Sequence, residues 1–211
     1  MAYCQRMGAT FVSDTDVTSL AATADGVRVG WSLSSGSPDP DRHVETARFD
    51  GVVICAGIAS RKLAAMLGDR VNVYPVKGYS ITVELNDEAN QQAAPWVSLL
   101  DDKAKIVTSR LGVNRFRVAG TAEFNGANRD IRADRVQPLV DWTRKQFPGI
   151  DTSRVIPWSG LRPMMPDMMP RVGAGRKPGV FYNTGHGHLG WTLSAATAQI
   201  VADQVSLGMA A

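Results

Sequence analysis

The sequence predicts two lobes: an α/β lobe built from both ends of the chain, and an inserted antiparallel α+β lobe. An unbroken apolar run at 52–57 (VVICAG) leads directly into a helical pattern, which is typical of an α/β unit. A second β-rich run, 180–183, leads through three glycines into an alanine-rich helical pattern at 191–207. The middle of the chain carries successive β-rich runs. We place the boundaries at 1–72, 73–165 and 166–211.

Composition and charge favour a soluble globular chain. A net charge of +3 over 211 residues argues against a dedicated nucleic-acid binder, which would carry a clustered basic excess. No apolar run approaches the ~20 residues that a membrane span needs. The N-terminus lacks the layout of a signal peptide. Cys4 and Cys55 do not make a disulfide framework, so we expect a cytoplasmic location.

The start of the chain is predicted as the end of a helix. Tyr3, Cys4 and Met7 have the spacing of one helix face, and Gly8 stands where such a helix would end. Nothing before them would begin a helix, so we expect the chain to start inside one. Residues 10–12 then predict a short strand.

A hairpin and a further strand are predicted next. Two β-rich runs, 17–23 and 27–33, flank an Asp-Gly pair that favours a tight turn. Residues 34–42 are polar and rich in Gly and Pro, which predicts a surface loop. The alternating pattern of residues 44–49 predicts a half-buried strand.

The remaining elements follow from the same patterns. The run 52–57 predicts a strand buried on both faces, and a helix over 59–67 follows it. Pro138 fits only near the first turn of a helix, so the helix that contains it is expected to begin late. In the inserted lobe we predict strands at 71–85, 96–100, 105–109, 115–119 and 155–158, a loop at 86–94, and a helix at 132–147 that buries Val136, Leu139, Val140, Trp142 and Phe147.

The strongest candidate site is the run at 183–192 (NTGHGHLGWT), between the last strand and the last helix. Its glycines let the backbone approach a planar or phosphorylated ligand, and the first N–H groups of the helix are unpaired and partially positive. Such a helix end can hold a phosphate or stabilise negative charge on a reduced flavin ring. The alternative is a loop that only needs tight turns, and the spacing alone leaves both open.

Two further candidates are a histidine pair and an arginine. No nearby carboxylate or cysteine joins His186 and His188 into a metal-ligand set, so we expect them to form hydrogen bonds or to pack. Arg162 follows a predicted strand and precedes Pro163, a position from which it could bind a substrate carboxylate with two parallel hydrogen bonds. The alternative for Arg162 is a salt bridge or an exposed surface position. Trp158 is predicted to lie in the core.

Three motifs in this order resemble a known family: residues 74–80 (YPVKGYS), 158–167 (WSGLRPMMPD) and 183–192 (NTGHGHLGWT). Together they are similar to the FAD-dependent D-amino acid dehydrogenases of bacteria, within the wider D-amino acid oxidase group of flavoproteins. The resemblance covers nearly the whole chain. It implies an incomplete FAD-binding Rossmann-like lobe, formed by 1–72 and 166–211, with an inserted antiparallel substrate lobe at 73–165.

The resemblance implies oxidative deamination. A hydride passes from the α-carbon of a D-amino acid to FAD, and the imino acid hydrolyses to a 2-oxo acid and ammonia. The electrons continue to a respiratory acceptor such as a quinone, which makes the inner face of the plasma membrane an alternative to a purely cytoplasmic location. No strong acid or base is required of the protein, so no catalytic residue is assigned.

The resemblance also assigns binding residues. Arg162 corresponds to the arginine that pairs with the substrate carboxylate, and Tyr79 is expected to line the substrate pocket. Val17 corresponds to the position whose backbone meets the adenine, and the turn at Ala56 and Gly57 is expected near the cofactor phosphates. The loop and helix start expected along the flavin and its ribityl chain are Gly185, His186, Gly187, His188, Leu189, Gly190, Trp191 and Thr192.

One departure concerns the dinucleotide fingerprint. Family members begin with a βαβ unit that carries Gly-x-Gly-x-x-Gly and an acidic residue for the ribose, and the first part of this chain has neither. We therefore expect a C-terminal half whose partner is a missing N-terminal half. Two alternatives remain: a related flavin enzyme that oxidises glycine, sarcosine or proline, and a non-catalytic remnant that binds no flavin.

Overall fold

The computed structural model describes residues 1–34 and 43–209. It divides into two compact units, which we call the terminal unit (Met1–Val73 with Asp167–Ala211) and the inserted unit (Tyr74–Pro166). Most of the predicted surface loop, residues 35–42, lies outside the described residues. The helices are α1 (Ala2–Arg6), α2 (Ser60–Met66), α3 (Glu88–Ala93), α4 (Ala133–Gln146) and α5 (Gly190–Met209). The strands are β1 (Thr15–Thr23), β2 (Gly26–Leu33), β3 (Glu45–Phe49), β4 (Val52–Ile54), β5 (Tyr74–Glu84), β6 (Leu100–Asp101), β7 (Ile106–Arg110), β8 (Arg115–Glu123), β9 (Val155–Met164), β10 (Arg171–Ala174) and β11 (Val180–Thr184).

The terminal unit contains two three-stranded sheets. One is antiparallel in the order β1-β2-β3, and its β1–β2 hairpin confirms the predicted Asp-Gly turn. The other has the order β10-β11-β4, with β11 antiparallel to β10 and parallel to β4. Helix α5 contacts β10 and β11, and α2 contacts β1 and β4. The parallel pair places the ends of two strands, and the starts of the segments that follow them, at one edge of this sheet.

Two predictions for the terminal unit are wrong. Residues 10–12 form no strand, because they lie between Gly8 and Asp14, both of which take a positive φ that turns the chain away from an extended path. Strand β4 is not buried on both faces. Only Ile54 of its three residues is buried, and Val53 is 40% exposed. Within the described residues β4 is an edge strand, so one side of it lacks a neighbour.

The inserted unit is a five-stranded antiparallel sheet in the order β6-β7-β8-β5-β9. Helix α4 packs on one face, where Leu139 and Val140 are buried among the apolar residues of β5 and β8. Val136, Trp142 and Phe147 pack against this core from its border, so the predicted helix face is confirmed. The buried residues of the cluster are Tyr79, Ile81, Val83, Leu85, Ala94, Ile106, Phe116, Val118, Leu139, Val140 and Ile150.

Several boundaries in the inserted unit were predicted wrongly. Helix α3 replaces the predicted loop, because the Asp87 carboxylate caps it by accepting a hydrogen bond from the Asn90 backbone N–H at 2.8 Å. Helix α4 begins at Ala133 and continues through Pro138 instead of starting late. Strand β9 extends to Met164, so Arg162 lies within a strand. Trp158 is 54% exposed and lies outside the core.

Candidate functional site

The carboxyl ends of β4 and β11 bring two predicted cofactor segments together. The Ser60 Oγ lies 2.8 Å from the Thr184 Oγ1, and both side chains are buried. The Thr184 Oγ1 also lies within hydrogen-bond distance, 3.3 Å, of the Gly57 carbonyl oxygen. These contacts join the turn at Ala56 and Gly57 to the start of the loop at Gly185. The structure thus gathers the two glycine segments, distant in sequence, at one edge of the sheet.

The backbone of these segments requires glycine. Gly57, Gly185 and Gly187 have φ values of +54°, +79° and +58°, in the left-handed region that side chains with a β-carbon disfavour. A β-carbon added to Gly57 would meet no heavy atom within 4 Å, so open space adjoins this turn. The turn at Gly57 therefore presents its backbone to a space that a ligand could enter.

His186 forms a hydrogen bond within the loop–helix segment. Its Nε2 lies 3.1 Å from the Thr197 Oγ1, and Thr197 in turn donates to the Leu193 carbonyl at 3.1 Å. Because the Thr197 proton is used on Leu193, the Nε2 of His186 is the donor. Burial lowers the pKa of His186, so the neutral ring is favoured. His186 therefore fixes the loop against α5, as a hydrogen-bonding histidine was expected to do.

Four other residues of the predicted cofactor segment are exposed to solvent. His188 and Thr192 are exposed, Leu189 is 43% exposed and Trp191 is 95% exposed. Just before the loop, the Asn183 Oδ1 is buried and has no hydrogen-bond partner among the described residues. A buried amide oxygen without a donor is unusual. It indicates a position where a ligand donor could complete the bonding.

Val17 lies apart from these loops. It belongs to β1, in the other sheet of the terminal unit, and is 41% exposed. A β-bulge falls between Val17 and Ser19, where the register with β2 shifts by one residue. The structure therefore leaves the predicted adenine contact of Val17 as a prediction.

The Arg162 side chain extends from β9 over the neighbouring strand β5 of the inserted unit. It lies on β9 opposite Val76, and its guanidinium packs over Gly78 of the neighbouring β5. A β-carbon on Gly78 would overlap the guanidinium, so only glycine leaves room for it. The Arg162 Nη1 donates to the Thr121 carbonyl at 3.0 Å. Thr121 has a φ of +68°, a strained value for a β-branched residue.

The strain at Thr121 comes from a β-bulge. Strand β8 carries one extra residue relative to β5 between the pairs Lys77–Glu123 and Tyr79–Gly120. The bulge contains Thr121 and turns its carbonyl toward Arg162. Bulge, glycine and arginine therefore form one arrangement that holds the guanidinium over the sheet.

The Arg162 guanidinium is half-buried and has no acidic partner within residues 1–34 and 43–209. Its one hydrogen bond in this part of the chain, to Thr121, uses a neutral acceptor, which leaves further N–H donors available. Burial, and then the charge of Arg117, lower the pKa of Arg162 from its ordinary value. A half-buried cation of this kind is stabilised by an incoming anion, and its planar fork suits a carboxylate.

Tyr79 lies on the opposite face of the sheet from Arg162. It is 1% exposed, and its hydroxyl donates to the Glu123 Oε2 at 2.7 Å. Glu123 also accepts from the buried Lys77 Nζ at 3.2 Å and faces Arg132 and Arg135. The hydroxyl is thus engaged inside the unit. The predicted pocket role of Tyr79 stays a prediction.

The pattern of the family described as "FAD dependent oxidoreductase" matches residues 1–204, nearly the whole chain. The chain belongs to this family. D-amino acid dehydrogenase 3 of Mesorhizobium japonicum is 60% identical over 203 residues, which are 96% of this chain and 47% of that protein. D-amino acid dehydrogenase of Paramagnetospirillum magneticum is 44% identical over 200 residues, 90% of this chain and 46% of that protein. The chain spans about half the length of the curated relatives it matches.

A solved structure shares the fold of this family member. Glycine oxidase from Geobacillus kaustophilus superposes with a TM-score of 0.78 at 25% identity, over 94% of this chain and 50% of that one. The predicted fold class, an α/β lobe with an inserted antiparallel lobe, is confirmed. The family is FAD-dependent, which confirms the predicted cofactor.

The residues of the terminal unit fit a dinucleotide cofactor. Open space beside Gly57, a left-handed glycine loop, the unpaired Asn183 oxygen and the free N–H groups at the start of α5 are features that hold phosphates and flavin rings. The loop also has the spacing Gly185-x-Gly187-x-x-Gly190 after a parallel strand and before a helix. The acidic residue of a full fingerprint is absent from its usual place, since Asp203 lies within α5 and accepts from Gln199.

A surface cavity of about 410 Å³ lies beside β10 and β11, where Arg176, Lys177 and Leu207 line it, and it contains none of the predicted site residues. No group of three or more His, Cys, Asp or Glu side chains that could hold a metal occurs in the described ranges. None of the helices described there is long and apolar enough to cross a membrane.

Sequence reasoning missed the residues that hold the predicted ones in place. Ser60, Thr121 and Glu123 carried no motif of their own, and Thr184 lies in the 183–192 run but was given no role there. Gly78 did carry a signal, because a glycine in the middle of a β-rich run marks a close approach by another group.

Proposed function

We propose that this chain is part of an FAD-dependent D-amino acid dehydrogenase that converts D-amino acids to 2-oxo acids and ammonia. The observation that carries the proposal is Arg162. Its half-buried guanidinium, packed over Gly78 without an acidic partner in the described residues, is arranged to bind a carboxylate. Relatives named D-amino acid dehydrogenase at 60% and 44% identity support the choice of substrate.

Each unit has its own proposed task. In the terminal unit, the turn at Gly57 and the loop from Gly185 would hold FAD, with the Ser60–Thr184 contact fixing one loop to the other. In the inserted unit, Arg162 would bind the substrate carboxylate and so restrict how the α-hydrogen is presented. FAD held by these loops would supply the oxidant for removal of the α-hydrogen as hydride, and hydrolysis of the resulting imino acid would give the 2-oxo acid and ammonia. We also propose a respiratory acceptor such as a quinone for the electrons.

A second candidate is a related flavin enzyme that acts on glycine, sarcosine or proline. The similarity to glycine oxidase favours it. These substrates also carry a carboxylate, so Arg162 serves both functions equally. The two candidate functions differ in which amine is oxidised, so a comparison of substrates separates them.

The proposal is tested by the visible spectrum of the purified chain after incubation with FAD and desalting. We expect a retained flavin band that bleaches when D-alanine is added without oxygen. Bleaching by glycine, sarcosine or proline but not by D-alanine would favour the second candidate. A chain that retains FAD but bleaches with none of these amines would contradict both functions, and a chain that retains no FAD would contradict cofactor binding by the Gly57 turn and the Gly185 loop alone.

Gly78→Ala tests whether glycine makes room for Arg162. The new methyl group would displace the guanidinium, which is the flexible end of a side chain, so the strand can stay in place. We expect KM for D-alanine to rise about tenfold with little change in the melting temperature. In the Arg162→Gln background the same substitution should have no further effect on KM, because the displaced group is already absent. An equal effect in both backgrounds would contradict this role of Gly78.

A further inference from the structure

Arg162 shares one face of its sheet with two other large side chains. Trp158, Gly160 and Arg162 alternate along β9 and therefore face the same side. The Trp158 indole folds over Gly160, where an added β-carbon would overlap the ring. Gly160 pairs with Gly78, over which Arg162 packs. The paired Gly78 and Gly160 thus leave a flat part of the sheet surface, which the Trp158 indole and the Arg162 guanidinium cover.

A second arginine, Arg117 of β8, lies beside this part of the sheet surface. The guanidinium carbon of Arg117 lies 5.4 Å from the centroid of the Trp158 ring. Arg117 is partly buried, and among the described residues no carboxylate pairs with it and no acceptor binds it. It faces Thr82 and Ser109 on the neighbouring strands, which are neutral. Among the described residues, the Arg117 guanidinium therefore lies against the Trp158 ring and beside no anionic group.

The two arginines influence each other. Both guanidiniums lie beside the Trp158 indole: that of Arg117 is 5.4 Å from the ring centroid, and that of Arg162 packs over Gly78, which pairs with the Gly160 that the indole covers. In keeping with this, the charge of Arg117 contributes to lowering the pKa of Arg162. Like charges held on one face without acids between them destabilise each other until an anion arrives. An arrangement of two such cations favours a ligand with two negative groups over a ligand with one.

We propose that Arg117 forms a second anion subsite, which binds the side-chain carboxylate of an acidic D-amino acid such as D-glutamate or D-aspartate. The inference rests on the proposed function, because it takes Arg162 as the site of the α-carboxylate. The Trp158 indole, which lies beside both guanidiniums, offers an apolar surface for the methylene groups that separate the carboxylates. Arg117 is then a specificity-determining residue of the same substrate.

The test compares two unreactive ligands, glutarate with two carboxylates and butyrate with one. Their affinities for the 211-residue chain are measured by isothermal titration calorimetry in the wild type, in Arg117→Gln and in Arg162→Gln. Arg115→Gln is the matched control, since Arg115 lies on the same strand but is exposed. Circular dichroism checks that each variant keeps the fold.

We expect the wild type to bind glutarate about tenfold more tightly than butyrate. Arg117→Gln should remove that preference while leaving butyrate affinity unchanged, Arg162→Gln should weaken both ligands, and Arg115→Gln should change neither. Equal affinities for the two ligands in the wild type, or an equal loss for both in Arg117→Gln, would overturn the proposal. So would a failure of glutarate to bind.

A second readout separates this inference from the proposed function. In the FAD-loaded protein, the ratio of kcat/KM for D-glutamate to that for D-alanine should fall about tenfold in Arg117→Gln. If no D-amino acid bleaches the flavin, the proposed function fails, while the glutarate preference still decides the role of Arg117. If D-alanine bleaches the flavin but the ratio does not change, the proposed function stands and the second subsite fails.

Discussion

Arg162→Gln is expected to lower kcat/KM for D-alanine by about a hundredfold in the FAD-loaded protein, mostly through KM. The guanidinium would make hydrogen bonds to a charged carboxylate, and each such bond contributes more than one between neutral groups. A contact made equally in the bound substrate and in the transition state appears in KM rather than in kcat. Steady-state kinetics with D-alanine, with the flavin content checked by absorbance, measures the effect.

Two further variants define what Arg162 contributes. Arg162→Lys keeps the positive charge but loses the planar fork, so we expect about a tenfold rise in KM. Arg154→Gln removes an exposed arginine of the same unit and should leave KM unchanged. A KM within twofold of the wild type in Arg162→Gln would refute the carboxylate contact, whatever the effect on kcat.

How far the fold follows from the sequence depends on whether its signals are local. The β1–β2 hairpin was predicted because an Asp-Gly turn and two β-rich runs lie within one short segment. The exposure of β4 was not, because burial depends on which elements pack on the two faces of its sheet, and a local apolar run does not specify them. Helix α3 was missed because its cap, from Asp87 to Asn90, is a side-chain contact in a segment with no apolar pattern.

In the candidate site too, local signals could be read from the sequence, whereas contacts between distant residues could not. The glycine loop was predicted from composition, and Arg162 from its motif, but neither signal says which groups hold them. The Ser60–Thr184 contact joins residues 124 positions apart. The support of Arg162 depends on the bulge at Thr121, which arises from a register shift between two strands. Tyr79 was expected in a pocket from its motif alone, and only the strand pairing shows that it faces the side of the sheet opposite to Arg162.

Glu123→Gln is expected to lower the melting temperature of the chain by about 10 °C, the largest effect on stability that we predict. Glu123 is 8% exposed, and it is the carboxylate that faces the fully buried Lys77 as well as Arg132 and Arg135. The neutral amide would leave the buried Lys77 ammonium without the negative charge of Glu123, and its hydrogen bonds to the Asn128 side chain and the Asp130 backbone carbonyl reach neutral acceptors. Lys77→Met should be milder, because Glu123 keeps Tyr79 and two arginines. Asp134→Asn, an exposed partner of Arg132, should change little.

The pH dependence of the stability of Glu123→Gln, compared with the wild type, shows which protonation state of Glu123 stabilises the folded chain. The hydrogen bond from Tyr79, and then the bond and charge of Lys77, lower the pKa of Glu123 below its ordinary value of 4.5. A lowered pKa means that the ionised form stabilises the folded chain above that value, and that this contribution is lost as the pH falls through the folded pKa. Thermal unfolding followed by circular dichroism should therefore show the gap between wild type and Glu123→Gln shrinking below pH 4.5. A gap that stays constant through that range would show that Glu123 stabilises the chain through packing and not through its charge.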